Sequence, residues 1–357
     1  MSLRDPILAD FAARLARPAA DPLVVSASRR ATAGDVDRLA LAVAAELEAR
    51  IGRPAPGALV ALAAPNGPAF LAGWVALRRL AAVPLLLDAA VPALERQAAA
   101  TALGAAAILA AGSGWLPSPA AWTLERTAAE PRVLSPEVGA VRLSSGSTGA
   151  PRGIAVTAEA LAADEAQLAT TMGLGGHRRF LAAIPLSHAY GLASLALPAL
   201  RRGVTLVLPD DRGPLAPLEA ARHLDASFFP TVPAWLDALT LLREPPPWPE
   251  ALRLVISAGA PLPPATAARF RERYGRAVHV FYGASECGGI TYDRDGSAGE
   301  RGTVGEPVEG VEVEVDGDGR VAVRSPAVAR TYLPDPDPRL ADGRFLTGDL
   351  EIGRAHV

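Results

Sequence analysis

Residues 138–157 read VGAVRLSSGSTGAPRGIAVT and consist of two apolar segments joined by small and polar residues. The apolar segments predict two strands, with a return strand at 154–156. Glycines between them let the backbone approach a ligand closely, and backbone N–H and hydroxyl groups can point into one volume. Arg152 adds a planar charge that can form two parallel hydrogen bonds to a phosphate. The segment therefore indicates a phosphate-binding loop, with a solvated serine- and glycine-rich turn as the alternative. It is not a Walker loop, which needs glycine, lysine and serine or threonine opening a helix.

Helical patterns alternate with short apolar strands on both sides of this hairpin. Such alternation predicts parallel βαβ units covered by helices, hence an α/β fold with two parallel-sheet subdomains. After residue 303, two alternating strands flank the turn Asp316–Gly319 and predict a small antiparallel β subdomain. The predicted helices are 32–50, 69–80, 93–103, 158–171, 192–200, 215–223 and 263–274. The predicted strands are 58–64, 83–87, 106–110, 179–184, 204–208, 227–230, 252–257, 278–282, 311–315 and 320–323.

Composition excludes several classes of protein. Half of the 357 residues are hydrophobic, so the chain can bury a core and is not mainly disordered. The formal net charge of −3 leaves no basic footprint for nucleic acid. All 35 basic residues are arginine, and a single cysteine excludes a disulfide framework or a cysteine-based zinc cluster. The charge-free stretches 54–77 and 98–124 are broken by proline, glycine or asparagine, so we predict no membrane span and a cytoplasmic location.

Four further segments follow the phosphate-loop candidate in chain order. They read IPLSHAYG at 184–191, RLVISAGAP at 253–261, VFYGASE at 280–286 and FLTGD at 345–349. Together with residues 144–153 and with VAVRSPAVARTYL at 321–333, they resemble the ordered motifs of the adenylate-forming (AMP-binding) superfamily of acyl-CoA and aryl-CoA ligases. Three departures are visible: Arg152 stands where the family has lysine, Ser285 where it has threonine, and Thr331 where glycine is usual.

The resemblance implies a role for each motif residue and a layered αβαβα core. His188 would lie near the carboxylate being activated, Ser285 would contact the α-phosphate, and Glu286 would help to hold Mg²⁺. Arg152 would act on the phosphates, and residues 229–235 and 257–259 would line the acyl pocket. The implied phosphate-binding residues are Ser144, Ser145, Gly146, Ser147, Thr148 and Gly149. The implied adenine- and ribose-binding residues are Ala258, Gly259, Ala260, Pro261, Tyr282, Gly283 and Asp349. Cys287 is expected to be a packed side chain rather than a nucleophile.

The implied reaction has two steps. A carboxylate attacks the α-phosphorus of ATP to give an acyl-adenylate and pyrophosphate, and a thiol of coenzyme A or a carrier-protein pantetheine then takes the acyl group. The aspartate that amino-acid-activating relatives place near residues 187–189 is missing, which favours an acyl or aryl acid. Two alternatives remain: a non-catalytic module that binds ATP or acyl-adenylate, and a ligase that loads a carrier protein.

Domain boundaries follow from the same resemblance. We expect an AMP-binding core at 1–302 with a split near 150–175, and a small β-rich subdomain at 303–350. Relatives continue into a mobile C-terminal domain that carries a catalytic lysine, whereas this chain contains no lysine. The chain is therefore expected to be an incomplete fragment with weak activity of its own. Residues 351–357, EIGRAHV, are expected to be a non-native tail, with an ordinary natural terminus as the alternative.

Overall fold

The computed structural model describes residues 5–16, 21–112, 114–144, 151–211 and 213–350. The candidate phosphate-binding residues Ser145 to Gly149 and the expected non-native tail 351–357 lie outside the described residues. None of the helices in the described ranges has the length and apolar character needed to cross a bilayer.

The described chain alternates strands and helices, as the apolar pattern predicted. The first strands are β1 (Val24–Val25), β2 (Arg30–Ala31), β3 (Leu59–Ala64), β4 (Val83–Asp88), β5 (Ala107–Ala110), β6 (Thr123–Arg126), β7 (Val138–Ser144), β8 (Arg152–Thr157), β9 (Arg179–Leu181) and β10 (Thr205–Val207). The later strands are β11 (Phe228–Thr231), β12 (Leu254–Ser257), β13 (His279–Ala284), β14 (Gly288–Tyr292), β15 (Glu306–Pro307), β16 (Glu312–Val315), β17 (Arg320–Arg324), β18 (Thr331–Leu333), β19 (Leu340–Ala341) and β20 (Arg344–Leu350).

The helices connect these strands and cover the sheets. They are α1 (Pro6–Leu15), α2 (Ala33–Ile51), α3 (Pro68–Arg79), α4 (Ala93–Leu103), α5 (Ala158–Thr171), α6 (Ala189–Gly191), α7 (Leu197–Arg202), α8 (Ala216–His223), α9 (Pro233–Thr240), α10 (Pro264–Tyr274) and α11 (Ala298–Arg301). A π-helical segment, Leu192–Ala196, joins α6 to α7, and short 3₁₀ turns lie at Pro119–Ala121 and Leu174–Gly176.

Two large sheets form the core. The seven-stranded sheet has the order β18-β8-β7-β4-β3-β5-β6, with β7, β4, β3 and β5 parallel and antiparallel strands at both edges. The nine-stranded sheet has the order β15-β14-β13-β12-β11-β9-β10-β1-β2, parallel from β13 to β1. A separate antiparallel sheet contains β16-β17-β20-β19. The predicted α/β fold with a small antiparallel element is confirmed.

Apolar side chains arrange these sheets and helices in layers. Strand β3 is buried along its whole length, and its alternate residues belong to two different core clusters because successive strand side chains point to opposite faces. The largest cluster joins the facing sides of both large sheets to α2, α3 and α5. A second cluster packs α8, α9 and α10 on the outer face of the nine-stranded sheet, and a third packs α4 on the other sheet. The order helix, sheet, helix, sheet, helix confirms the expected αβαβα arrangement.

Two strands that follow the predicted domain boundary at residue 303 belong to the large sheets. Strand β15 extends the nine-stranded sheet, and β18 pairs with β8 of the seven-stranded sheet, so Tyr332 lies opposite Ile154. Both pairings bring residues beyond 303 back to the large sheets. The division 1–302 and 303–350 remains a proposal.

Candidate active site

The carboxyl ends of the parallel strands in the two large sheets meet at one crevice. Asn66 follows β3, and its side-chain amide donates to the Ile184 carbonyl at 2.8 Å while its side-chain oxygen accepts from the Leu186 backbone N–H at 2.9 Å. These two bonds join the seven-stranded sheet to the segment after β9. Since the carboxyl edge of parallel strands is the usual ligand-binding edge of α/β sheets, the crevice is the candidate active site.

His188 stands at this crevice beside a carboxylate from the other sheet. Its side chain is 63% exposed, and its Nε2 lies 3.6 Å from Oδ2 of Asp88, the last residue of β4. Tyr190 anchors the next turn, because its hydroxyl donates to the Ile256 carbonyl of β12 at 3.1 Å. An exposed imidazole held between two sheets can reach a ligand in the crevice, and the implied role of His188 remains a proposal.

The hairpin β7–β8 brings the ends of the phosphate-loop candidate together. Ser144 pairs with Arg152 across the hairpin, and the Ser144 hydroxyl donates to the Arg152 carbonyl at 3.5 Å. Strand β7 is parallel to β4, so Ser144 lies at the same sheet edge as Asp88. The position of the hairpin end at the crevice agrees with the expected phosphate contacts of residues 144–149, which remain a proposal.

Arg152 is held in place by an aromatic ring and a carboxylate. Its guanidinium carbon lies 4.2 Å from the centre of the Tyr332 ring, and its Nη2 lies 3.3 Å from Oδ2 of Asp337. Hydrogen bonds from Arg339 lower the pKa of Asp337 below its usual range, and Arg152 contributes to the same shift. The arginine that replaces the family's lysine is thus part of a charged cluster at the start of β8.

Glu286 lies in the turn between β13 and β14 and faces the same cluster. The Tyr332 hydroxyl donates to Glu286 Oε1 at 2.9 Å, and the Ala329 backbone N–H donates to the Glu286 carbonyl at 2.7 Å. Burial and the negative charge of Glu286 raise the pKa of Tyr332. Ser285 precedes Glu286 and is partly exposed. Tyr332 therefore connects Glu286 to Arg152, and within the part of the chain that the structure describes only Oε1 of the Glu286 carboxylate accepts a side-chain hydrogen bond.

The residues expected to bind the nucleoside come from three neighbouring elements. The Tyr282 hydroxyl on β13 donates to Asp349 Oδ2 on β20 at 2.5 Å. The pKa of Tyr282 is raised mainly by burial and, to a smaller extent, by the neighbouring Asp349. Residues 258–261 follow β12, the parallel neighbour of β13, and Gly259 adopts φ of +87°, a conformation that favours glycine. Gly283, Gly259, Ala260 and Pro261 are exposed, whereas Ala258 is buried.

The crevice contains few ligands for a metal ion. Among the described residues, no group of three or more histidine, cysteine, aspartate or glutamate side chains could hold a metal. Glu286 offers one hard carboxylate, which fits Mg²⁺ because that ion is usually bound by one or two carboxylates with phosphate oxygens and water. The expected role of Glu286 in holding Mg²⁺ is compatible with this donor set.

The expected acyl-pocket residues face more than one side of the sheet. Phe229 belongs to the outer cluster and packs edge-on against Trp235, with ring centres 4.9 Å apart. Phe229 therefore packs under the outer helices rather than in the crevice. Ser257 lies at the carboxyl end of β12, and its hydroxyl is buried without a partner in the described part of the chain.

Two open cavities of about 570 and 620 Å³ lie away from the crevice. They are lined by residues at the amino ends of the parallel strands, among them Arg179, Ser227 and Arg253. None of the residues expected to bind ATP or the acid lines either cavity. Cavity volume alone therefore does not identify the candidate site.

The structure adds residues that the sequence motifs did not single out for the site. Asp88 ends a parallel strand at the crevice, Tyr332 contacts Glu286, and Asp337 pairs with Arg152. The sequence signal for Asp88 is a polar residue at the end of an apolar strand. Tyr332 lies in the motif segment 321–333 but had no role assigned from it, and Asp337 has no sequence signal, because their contacts depend on the return of β18 to the first sheet. Cys287 is fully buried, and burial raises the pKa of its thiol, which confirms a packing role.

A family model described as AMP-binding enzyme matches residues 11–333, which include most of this site. The chain belongs to the AMP-binding enzyme family. It is 30% identical over 347 residues to a feruloyl-CoA synthase from Amycolatopsis, an alignment that covers 86% of this chain and 70% of that protein. It is 28% identical over 221 residues to 2-succinylbenzoate–CoA ligase from Bacillus subtilis, covering 58% of this chain and 45% of that protein.

Solved structures of AMP-binding enzymes share the fold. The inhibitor-bound N-terminal domain of FACL13 from Mycobacterium tuberculosis superposes with a TM-score of 0.80 at 22% identity, covering 96% of both chains. The amide bond synthetase McbA from Marinactinospora thermotolerans gives a TM-score of 0.76 at 27% identity, covering 95% of this chain and 76% of that one. This AMP-binding chain thus has the fold of an adenylate-forming N-terminal domain.

Proposed function

We propose that this AMP-binding chain activates a carboxylic acid with Mg·ATP, forming an acyl-adenylate and pyrophosphate, as part of an acyl-CoA synthetase. The observation that carries the proposal is the Glu286–Tyr332–Arg152 chain of contacts at the end of the phosphate-loop hairpin. It supports the proposal because Glu286, the candidate metal ligand, and Arg152, a cation held by Asp337, contact the same tyrosine, and binding of a metal-bound polyphosphate needs an acidic ligand and a cation close together.

Each residue has a separate task in the proposed adenylation. Arg152 and the loop from Ser144 to Gly149 bind the departing pyrophosphate. Ser285 donates to an α-phosphate oxygen, and Glu286 holds Mg²⁺, which would neutralise phosphate charge when bound. Tyr282, the segment 258–261 and Asp349 fix the nucleoside. His188, beside Asp88, orients the carboxylate of the acid.

The proposed substrate is an aromatic or aliphatic acid without an ammonium group. Most of the curated relatives considered are named for aromatic acids (ferulate, 4-coumarate, 2-succinylbenzoate and indoleacetate), and one is named for the aliphatic sulfoacetate. We therefore propose an aromatic carboxylic acid as the first substrate to test. The proposed acceptor is coenzyme A, and a carrier-protein pantetheine is the alternative. A cytoplasmic location remains a prediction.

Calorimetry and adenylate trapping test this proposal. The purified chain is titrated with ATP in Mg²⁺, and aryl and alkyl acids are then incubated with Mg·ATP while pyrophosphate and the acyl-hydroxamate formed with hydroxylamine are measured. We expect Mg·ATP binding and acid-dependent pyrophosphate release. Absence of ATP binding would contradict the proposal, whereas binding without acid-dependent release by the full gene product would support the non-catalytic module.

Two variants sharpen the test. Glu286→Gln keeps an acceptor for Tyr332 but removes the carboxylate charge, so we expect Mg·ATP affinity to fall at least tenfold. Glu314→Gln on the exposed strand β16 removes the same charge far from the contact chain and serves as the matched control. Equal behaviour of the two variants would remove Glu286 from the proposed metal site.

A further inference from the structure

The hydrogen bond between Tyr282 and Asp349 joins two different sheets at the residues expected to bind the nucleoside. Tyr282 lies on β13 of the nine-stranded sheet, whereas Asp349 is the next-to-last residue of β20 in the four-stranded sheet. Of the hydrogen bonds that β20 makes within the described ranges, this is the one that reaches a large sheet. The placement of the Asp349 side chain therefore depends on a residue of another sheet.

The backbone around Asp349 is held weakly by its own sheet. Strand β17 pairs with β20 through Arg320 opposite Leu350 and Ala322 opposite Leu346, so residues 347–349 lie opposite a single residue. Such a bulge interrupts the regular ladder of hydrogen bonds. Residues 348–350 are also exposed, and a Cβ built on Gly348 would meet no atom within 4 Å. A bulged and exposed strand end does not by itself fix the direction of a side chain.

The Asp349 carboxylate is oriented by one donor. Its Oδ2 accepts from the Tyr282 hydroxyl at 2.5 Å, and no other hydrogen bond or ion pair reaches the carboxylate in the described chain. The Thr347 hydroxyl accepts from the Asp349 backbone N–H at 3.1 Å, which holds the main chain and not the carboxylate. Burial raises the pKa of Tyr282, and Asp349 adds to the shift, so the hydroxyl keeps its proton and is the donor. Because a carboxylate has about four acceptor positions, one donor can orient it and leave capacity for a ligand.

We propose that the Tyr282 hydroxyl is a positioning group that sets the selectivity of the site for ribose hydroxyls by orienting the Asp349 carboxylate. This inference rests on the proposed function, in which Tyr282 and Asp349 fix the nucleoside of ATP. The neighbouring hydroxyls of a ribose donate side by side, and a carboxylate accepts from them well only when it is turned toward them. A carboxylate that rotates freely gains less from these bonds, because binding must then fix it. Only the hydroxyl of Tyr282, and not its ring, acts through Asp349.

Calorimetry with ATP and 2′,3′-dideoxy-ATP in Mg²⁺ tests the proposal, because the two nucleotides differ only in the ribose hydroxyls. We expect the wild type to bind the dideoxy nucleotide about tenfold more weakly than ATP, since hydrogen bonds to a charged group are the stronger kind. Tyr282→Phe keeps the ring and removes the hydroxyl. We expect this variant to bind ATP about fivefold more weakly than the wild type, while its affinity for the dideoxy nucleotide stays within about twofold. The selectivity for ribose hydroxyls should thus fall to about twofold.

A double-mutant cycle shows whether the hydroxyl acts through Asp349. Asp349→Ala removes the acceptor from an exposed position, so we expect it to abolish the selectivity for ribose hydroxyls without unfolding the chain. Adding Tyr282→Phe to Asp349→Ala should then change the affinity for ATP by less than about twofold, because the hydroxyl has lost its partner. If the losses in the two single variants multiply in the double variant, the two side chains act independently and the proposal is contradicted.

Two further outcomes would overturn the inference. Equal weakening of both nucleotides in Tyr282→Phe would mean that the hydroxyl supports the fold and does not set the selectivity. Tighter binding of ATP by that variant would mean that the hydroxyl competes with the ribose for Asp349. Asp318→Asn, in the exposed turn between β16 and β17, removes a carboxylate charge from the same sheet and is the matched control. This control should keep the selectivity of the wild type.

The same titrations separate this inference from the proposed function. If the wild-type chain binds no Mg·ATP, the proposed function fails and this inference fails with it. If the wild type binds ATP and the dideoxy nucleotide equally well, binding of Mg·ATP stands and only the role of Tyr282 and Asp349 in reading the ribose is contradicted.

Discussion

The Tyr332 hydroxyl donates to Glu286 Oε1 across 46 positions of sequence, at a distance of 2.9 Å. Tyr332 lies on β18, which is an edge strand of the seven-stranded sheet, whereas Glu286 follows β13 of the nine-stranded sheet. The same ring packs against the Arg152 guanidinium. One tyrosine thus joins the two large sheets, a candidate metal ligand and the candidate phosphate-binding arginine.

Tyr332→Phe removes this hydrogen bond and keeps the ring against Arg152. A hydrogen bond of this kind contributes about 1 kcal/mol, so we expect Mg·ATP affinity to fall roughly fivefold. Calorimetry measures the change. Tyr274→Phe is the control, because the Tyr274 hydroxyl is buried without a partner in the described chain. Unchanged affinity for Tyr332→Phe would show that the hydroxyl does not orient Glu286.

Arg152 and Asp337 are expected to have opposite effects on ATP binding. Arg152→Ala removes the cation, and we expect about a tenfold loss of affinity, by analogy with charge-assisted phosphate contacts. Asp337→Asn removes the negative charge that competes with phosphate for Arg152, so affinity should rise about threefold, which corresponds to less than 1 kcal/mol. Arg330→Ala, which breaks the exposed pair with Glu137, is the control. A loss of affinity in Asp337→Asn would contradict the competition.

Asn66 is predicted to stabilise the connection between the sheets. Asn66→Asp keeps the acceptor for the Leu186 N–H but leaves the Ile184 carbonyl facing a carboxylate oxygen. We expect a loss of about 1–3 kcal/mol in the free energy of unfolding, measured by urea denaturation. Acid-dependent pyrophosphate release should fall further than ATP affinity, because His188 follows the segment that Asn66 holds. Equal stability of variant and wild type would rule out this role.

We expect the free energy of unfolding to fall as the pH rises into the alkaline range. The pKa values of all five tyrosines and of Cys287 are raised, with burial as the first cause. At pH values at which the unfolded chain has lost the protons of these groups, the folded state still keeps them. Their stabilisation is therefore complete below their ordinary pKa values, near 8.5 for cysteine and 10 for tyrosine, and is lost as pH rises toward the raised ones.

The absence of lysine makes this effect measurable, because no amine side chains titrate in the same range. Each tyrosine that stays fully protonated contributes a slope of about −1.4 kcal/mol per pH unit, and partly exposed tyrosines contribute less. Urea denaturation at pH 8, 9, 10 and 11 gives the profile. We expect Cys287→Ala to lose the part of the slope that begins below pH 10. A flat profile from pH 9 to 11 would contradict the raised pKa values.

The sequence by itself determined the local elements. Helices α4 and α5 begin and end where the apolar pattern predicted, and most other predicted elements differ by a few residues at their ends. The helix predicted at 192–200 is instead a π-helical segment, Leu192–Ala196, followed by α7. For α5, the Thr157 side chain accepts from the Ala160 N–H and fixes the first turn. Burial periodicity and capping depend on residues within a few positions of each other, so they can be recognised along the chain.

Only the tertiary structure decided which polar side chains meet. Tyr282 and Asp349 are 67 positions apart, and Asn66 and Ile184 are 118 apart. The order of the strands brings them together, and that order includes the return of β18 to the first sheet across the predicted boundary. Strand order results from pairings between distant segments and from burial of both sheet faces at once. No local pattern of residues specifies such pairings, so the contact of Glu286 with Tyr332 became visible only in the folded chain.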